Sequence, residues 1–134
     1  VTSLIEKGEI TNITQEDAFA TFIAGILRSV RFGAASAHGK ANMMCFNYFE
    51  NNGAFARNKD GKYVIDFAKA KKAMESWAAL IIKVEGEGDI DFATDYNNKN
   101  GIIKPELQKD LDKINSAKIP KDIRFEQGKS VLGL

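Results

Sequence analysis

The chain has 134 residues, 44% of them apolar and 28% charged, with one histidine and one cysteine. That length is enough for a single hydrophobic core, and the composition excludes a disordered polypeptide. A net charge of +1, with 19 basic and 18 acidic residues intermixed, leaves no electrostatic footprint for nucleic acid or an anionic membrane.

Cys45 cannot form an internal disulfide and reads as a reduced, buried, small residue. The longest apolar runs, such as "AALII", fall far short of the roughly 18 residues of a membrane span, so no membrane partner is expected. No signal peptide stands at the start, and the expected location is cytoplasmic.

The opening "VTSLIEKGEI" reads as the last turns of a helix stopped at Gly8, a common residue after a helix end. Domains rarely open on a helix end, so the chain reads as a piece of something longer; an ordinary frayed N-terminus or a trimmed but complete domain is the competing reading. "NITQEDAFATFIAGILRSVRFG" follows as an amphipathic helix, with Thr14 as N-cap and Asp17 as its capping-box partner. Phe19, Phe22, Ile23, Ile26, Leu27 and Val30 form one apolar stripe. Arg28 and Arg31 sit near its C-terminal end, where the helix dipole favours cations.

The next helix spans Ala35 to Asn51. Met43, Met44, Cys45, Phe46, Tyr48 and Phe49 cover nearly every direction around its axis, which predicts burial on several sides. Gly53 ends it. "AFARNKDGKYVIDF" reads as a β-hairpin turning at Asp60-Gly61.

Asp66 can cap a helix from Phe67 to Glu85, with an apolar face of Phe67, Ala70, Met74, Trp77, Ala78, Ile81 and Val84. "GEGD" breaks it, Asp89 caps a short helix through Tyr96, and "NNKNG" is a loop. Pro105 starts another helix with Leu107, Leu111 and Ile114 facing inward. The tail "IPKDIRFEQGKSVLGL" is extended, and Ile119, Ile123, Phe125, Val131, Leu132 and Leu134 should dock it on a surface. The expected fold is mainly α: a bundle of about four to five helices with one small β-hairpin and an extended C-terminal tail, in a single domain over residues 1–134.

Little chemistry can be built from these residues alone. A zinc site needs about three or four His, Cys or carboxylate ligands, and His38 and Cys45 are the only soft ones. No H-E-x-x-H string, nucleophile elbow, phosphate loop or nudix-type glutamate box occurs. On one helix, His38 and Cys45 stand about 10 Å apart along the axis, too far for a catalytic pair.

One constellation is left. His38, Asn42, Cys45 and Phe49 share a helix face, which Arg31 and Ala35 extend if the helix continues back through Gly33. Gly39, with Ala35, Ala37 and Ala41, allows another backbone or a ligand to come close. Two readings stay open here: a histidine and an asparagine hydrogen-bonded within the core, or polar groups contacting a substrate. Arg31 reads as a surface or capping residue, and Trp77 as core.

The stretch "RFGAASAHGKANMMCFNYFENNGAF" resembles the bacterial-type branch of the dipeptidyl peptidase III family of zinc exopeptidases. There the pattern R-F-G-x-x-S-A-H-G-x-A-N-M precedes F-N-[YF]-[FL]-x-x-x-G-A-F. The likeness runs on through the hairpin and "GEGD" to the ending "IPKDIRFEQGKSVLGL". It implies a two-lobed metallopeptidase that removes dipeptides from peptide N-termini, with zinc held by H-E-x-x-G-H and E-E-x-x-A-[ED] helices. Neither motif occurs here. The chain would then be the C-terminal fragment of a larger helical catalytic lobe, with no metal or cofactor of its own and inactive alone.

The resemblance places the family's cleft histidine at His38, as the catalytic residue. Another branch carries an arginine four residues later, where this sequence has Asn42; Arg31 could substitute for it in space. Asn42 and Arg31 are therefore the candidate substrate-binding residues. The implied partners are the upstream part of the same polypeptide and a peptide substrate, with either a conspicuous apolar surface or a homodimer of the fragment covering it. Some plant relatives fuse a nudix domain ahead of the peptidase, so a nudix name can travel with such sequences. The competing class is a stand-alone helical protein–protein interaction module.

Overall fold

A computed structural model describes residues 1–122 and 128–133, with the backbone alone of Leu132. In chain order it contains α1 (Thr2–Glu6), α2 (Gln15–Val30), α3 (Ala37–Asn51), β1 (Phe55–Arg57), β2 (Tyr63–Ile65), α4 (Phe67–Glu87), α5 (Ile90–Asn100), α6 (Pro105–Ser116) and α7 (Lys129–Leu132). The class is mainly α with one hairpin, as the patterning predicts. Five of the helices are long; the two beyond the expected number are the single turns α1 and α7. Two compact units are present, Val1–Ile103 and Lys104–Leu134.

Local signals place most helix ends. Thr14 and Asp17 form a complete capping box: the Thr14 hydroxyl accepts from the Asp17 N–H at 3.1 Å, and the Thr14 N–H donates to the Asp17 carboxylate at 2.9 Å. Those hydrogen bonds hold the Asp17 carboxyl below its ordinary pKa. Asp66 caps α4 by accepting from the Lys69 N–H, and Asp89 caps α5 by accepting from the Phe92 N–H. Pro105 occupies the first turn of α6, whose buried residues are Leu107 and Leu111. The hairpin is antiparallel, with Phe55 opposite Ile65 and Arg57 opposite Tyr63; Gly61 supplies the positive φ of its turn.

The core of the first unit is built from the α2 stripe (Phe19, Ile23, Ile26, Val30) and from Met43, Phe46 and Phe49 of α3. Phe49 meets Phe22 with ring centroids 5.3 Å apart, and Phe46 meets Phe55 at 4.9 Å. From Asn42 to Glu50 no residue of α3 is exposed. The helix is therefore enclosed by α2, α4, α5 and β1, as its all-round hydrophobicity predicts.

Four expectations need correction. "NNKNG" is not a loop: α5 runs on through Asn100 and stops at Gly101, because the Asn100 side chain and Lys99 satisfy the turn instead of breaking it. Asn100 bonds back to the Tyr96 carbonyl, and Lys99 pairs with Asp95 at 2.7 Å. The α4 helix continues through Gly86 to Gly88, whose left-handed backbone supplies the stop. Ala78 and Ile81 of its expected inner face are exposed, and the buried positions are Ala70 and Ala73, where small side chains let the helix approach. In the tail, Lys129–Leu132 is a helical turn closed by Gly133, and Ile119 and Val131 are exposed rather than docked. Ile123, Phe125, Leu134 and the Leu132 side chain lie outside the described residues.

Asn47 is the buried polar residue among the described ones, 1% exposed. Its amide nitrogen donates to the carbonyls of Asn100 at 2.7 Å and Ile102 at 2.9 Å, holding the end of α5 against α3. Two carbonyl acceptors on one side fix which way the amide is turned. Asn47→Ala leaves both carbonyls without this donor, so we expect chemical denaturation to show a loss of about 2–4 kcal/mol. Asn47→Asp should cost more, since it sets a carboxylate against two carbonyl oxygens. Asn42→Ala, at a half-buried site, should cost less than about 1 kcal/mol.

Candidate functional site

The sole histidine is the second residue of α3. Ser36 starts that helix, its hydroxyl accepting from the Gly39 N–H at 3.0 Å. The preceding loop turns at Gly33, with φ of +88°, and lies directly on Gly39. A Cβ at residue 39 would overlap the Gly33 carbonyl oxygen. The close approach expected around Gly39 is therefore made by the chain's own backbone. It fixes the first turn of α3 while leaving its other side open.

His38 is on that open side. It is solvent-exposed, which removes the reading of a histidine satisfied inside the core. The face it begins is graded: His38 is exposed, Asn42 and Cys45 are half-buried, and Phe49 is fully buried. Thus the helix carries one imidazole at the mouth of a face whose far end is anchored in the core. Arg31 does not extend this face. It caps α2 and is half-buried, and the helix does not continue through Gly33. His38 and Asn42 share a helix side; Arg31 belongs to another element.

Burial pushes the Cys45 thiol up to about 11, so at neutral pH it is a protonated, unreactive group and not a nucleophile. Trp77 is half-buried rather than core. It lies between Tyr48 and Tyr96, with ring centroids at 4.8 and 6.2 Å, and the Tyr48 hydroxyl donates to Ser76 at 2.8 Å. Tyr96 is raised from its ordinary pKa, first by burial and then by Tyr48 and Cys45. Neither Asn47 nor this aromatic set could be picked out from spacing, because each joins elements distant in sequence.

No family model matches the chain. Over 120 residues, 90% of its length, it is 38% identical to "Nudix hydrolase 3" of Arabidopsis thaliana, 16% of which is covered. Two solved structures share its fold. Dipeptidyl-peptidase III from Corallococcus sp. strain EGB aligns with a TM-score of 0.84 and 31% identity, over 91% of this chain and 22% of that one. DPP III from Caldithrix abyssi aligns with a TM-score of 0.81 and 26% identity, over 90% of this chain and 23% of that one. The chain matches a segment of dipeptidyl-peptidase III.

It spans less than a quarter of each of these proteins. Dipeptidyl-peptidase III was expected on the motif around His38, and the likeness to these two solved structures agrees with it. The zinc that the resemblance implies does not fit this segment: both ligand motifs are missing from the sequence. Among the described residues, no three His, Cys, Asp or Glu side chains come together as a metal site. No helix among them is long and apolar enough to cross a membrane.

Two outcomes follow from this geometry. Gly39→Ala forces the Gly33 loop away from α3, and thermal unfolding should show a loss of about 1–3 kcal/mol, accompanied by a shift of the His38 imidazole NMR signals. The raised thiol gives a pH dependence of definite sign. The unfolded chain loses the Cys45 proton before the folded chain does, so this contribution is intact below the ordinary thiol pKa and lost as pH rises toward about 11. Cys45→Ala should flatten the fall in stability between about pH 9 and 11.

Proposed function

We propose that this chain is the C-terminal part of a zinc-dependent, dipeptidyl peptidase III-like exopeptidase that releases dipeptides from peptide N-termini. In this reading it packs against the zinc-bearing helices of the same polypeptide, supplies His38 to the substrate cleft, and is inactive alone. The observation that carries the reading is the agreement of fold and sequence with two peptidase structures, at TM-scores of 0.84 and 0.81, over nine-tenths of the chain. The exposure of His38 supports it, since a cleft residue must reach substrate.

The chemistry asked of His38 is modest and specific. Attack on a scissile carbonyl gathers negative charge on its oxygen, and an imidazole N–H held there by a rigid helix turn donates a hydrogen bond that strengthens as the charge grows. Asn42, one turn further in, can bond the peptide backbone, and Arg31 can offer a cation from the end of α2. The polypeptide is assigned to the cytoplasm.

The 38% identity to a nudix hydrolase favours one other reading, hydrolysis of nudix type. The sequence lacks a clustered glutamate box, and we assign the likeness to a part of that protein outside its nudix signature. A catalytically silent interaction module is the third reading, and one experiment tests the peptidase reading against both. In the full-length protein, His38→Ala should lower kcat for release of a dipeptide from a chromogenic substrate by about 10²–10³-fold with zinc content unchanged. The 134-residue chain alone should release nothing. Unchanged turnover in the variant would remove the catalytic role.

A further inference from the structure

The surface between α3, α4 and α5 holds a groove of about 380 Å³, walled by Ala41, Met44, Trp77, Leu80, Phe92 and Tyr96. Its volume would admit a small ligand, but the apolar surface does not stop at its edge. Ile81 and Phe92 on the walls are exposed, and Ile82 and Ile90 on the same two helices are 69% and 77% exposed. Apolar exposure of that kind marks a docking surface for a polypeptide.

The α4–α5 connection at one end of it is acidic. Glu85 lines the groove, and between Val84 and Asn98 the chain carries five acidic residues and no basic one. Of these, Asp95 is paired with Lys99, whereas Glu85, Glu87, Asp89 and Asp91 form no ion pair among the described residues. An apolar floor bordered by Glu85 and continued by the acidic α4–α5 connection is complementary to a helix whose apolar face is flanked by lysine or arginine.

We propose that this groove docks a basic amphipathic helix from the remainder of the peptidase polypeptide. The assignment rests on the peptidase reading above, because the matched structures are more than four times as long as the stretch they share with this chain. A helix tethered in the same polypeptide meets the groove at high effective concentration, so a modest intrinsic affinity is enough to seat it.

Trp77 is the only tryptophan of the chain and a wall of the groove, so its emission reports occupancy directly. The probes are two 14-residue synthetic helices, Leu-Lys-Lys-Leu-Leu-Lys-Leu repeated twice and its counterpart with glutamate for lysine. The basic helix should quench or blue-shift Trp77 with micromolar affinity, weakening at least about tenfold as salt rises from 50 to 500 mM. The acidic helix should leave the emission unchanged. Phe92→Glu and Glu85→Lys should each weaken the basic helix at least about tenfold.

The second arm locates the occupant. Phe92 is 42% exposed in this chain and stacks on Tyr96, so Phe92→Glu should lower the Tm of the 134-residue protein only slightly, and that of the full-length polypeptide by at least about 4 °C more. Equal response to both helices, or none to either, overturns the proposal. So does a Tm that falls no further in the full-length protein than in the 134-residue chain, which points to a separate partner, or a concentration-dependent dimer abolished by Phe92→Glu, which points to a second copy. These outcomes are independent of the His38 kinetics, so docking and the peptidase reading can fail separately.

Discussion

The carboxamide of Asn47 is the contact on which the rest of the first unit depends. Buried at the centre of α3, it donates to two carbonyls just where α5 ends, at Asn100 and Ile102. Carbonyls at a helix end have no partner within the helix, and burying them without a donor is costly. Gly101, between them, is buried and sits so close to Asn97 that a Cβ would meet its carbonyl oxygen at 2.7 Å. The Asn47 side chain holds α5 on α3, and the missing side chain at Gly101 lets the last turn of α5 close. With α5 held there, Phe92 and Tyr96 face Trp77 of α4, and the aromatic groove follows as a consequence.

The opposite end of α3 works on a different principle. There the constraint is steric: the backbone at Gly33 rests on the helix at Gly39, and a serine hydroxyl closes the first turn. Packing on one side of a short turn leaves the other side free, and His38 occupies it. A helix rigid over most of its length, with one exposed imidazole at its start, is a good platform for a polar group that must be aimed without being buried. The half-buried Asn42 and the inert Cys45 continue that face toward the core without adding a second reactive group.

Where the chain was legible as sequence, the signal was local. Thr14 with Asp17, Asp66, Asp89 and Pro105 announce helix starts because each meets only its own next few backbone groups. Asn97–Asn100 misled for the matching reason. Asparagine and glycine favour turns by default, and only the docking of that turn on α3 makes a further helical turn worthwhile. Trp77 and Ile81 misled because periodicity reports which residues share a face, not whether anything covers that face.

From the residues by themselves came the helical class, the hairpin with its turn at Gly61, the all-round burial of α3 and the singling out of His38. All of these rest on interactions between neighbours in the chain or on the count of residue types. Tertiary structure alone decided that His38 is exposed, that Arg31 lies on a separate element from it, and that Asn47 is the asparagine buried in the core. These depend on which distant backbone arrives beside α3, at Gly33 on one side and at Asn100–Ile102 on the other. No spacing along a single helix encodes that arrival.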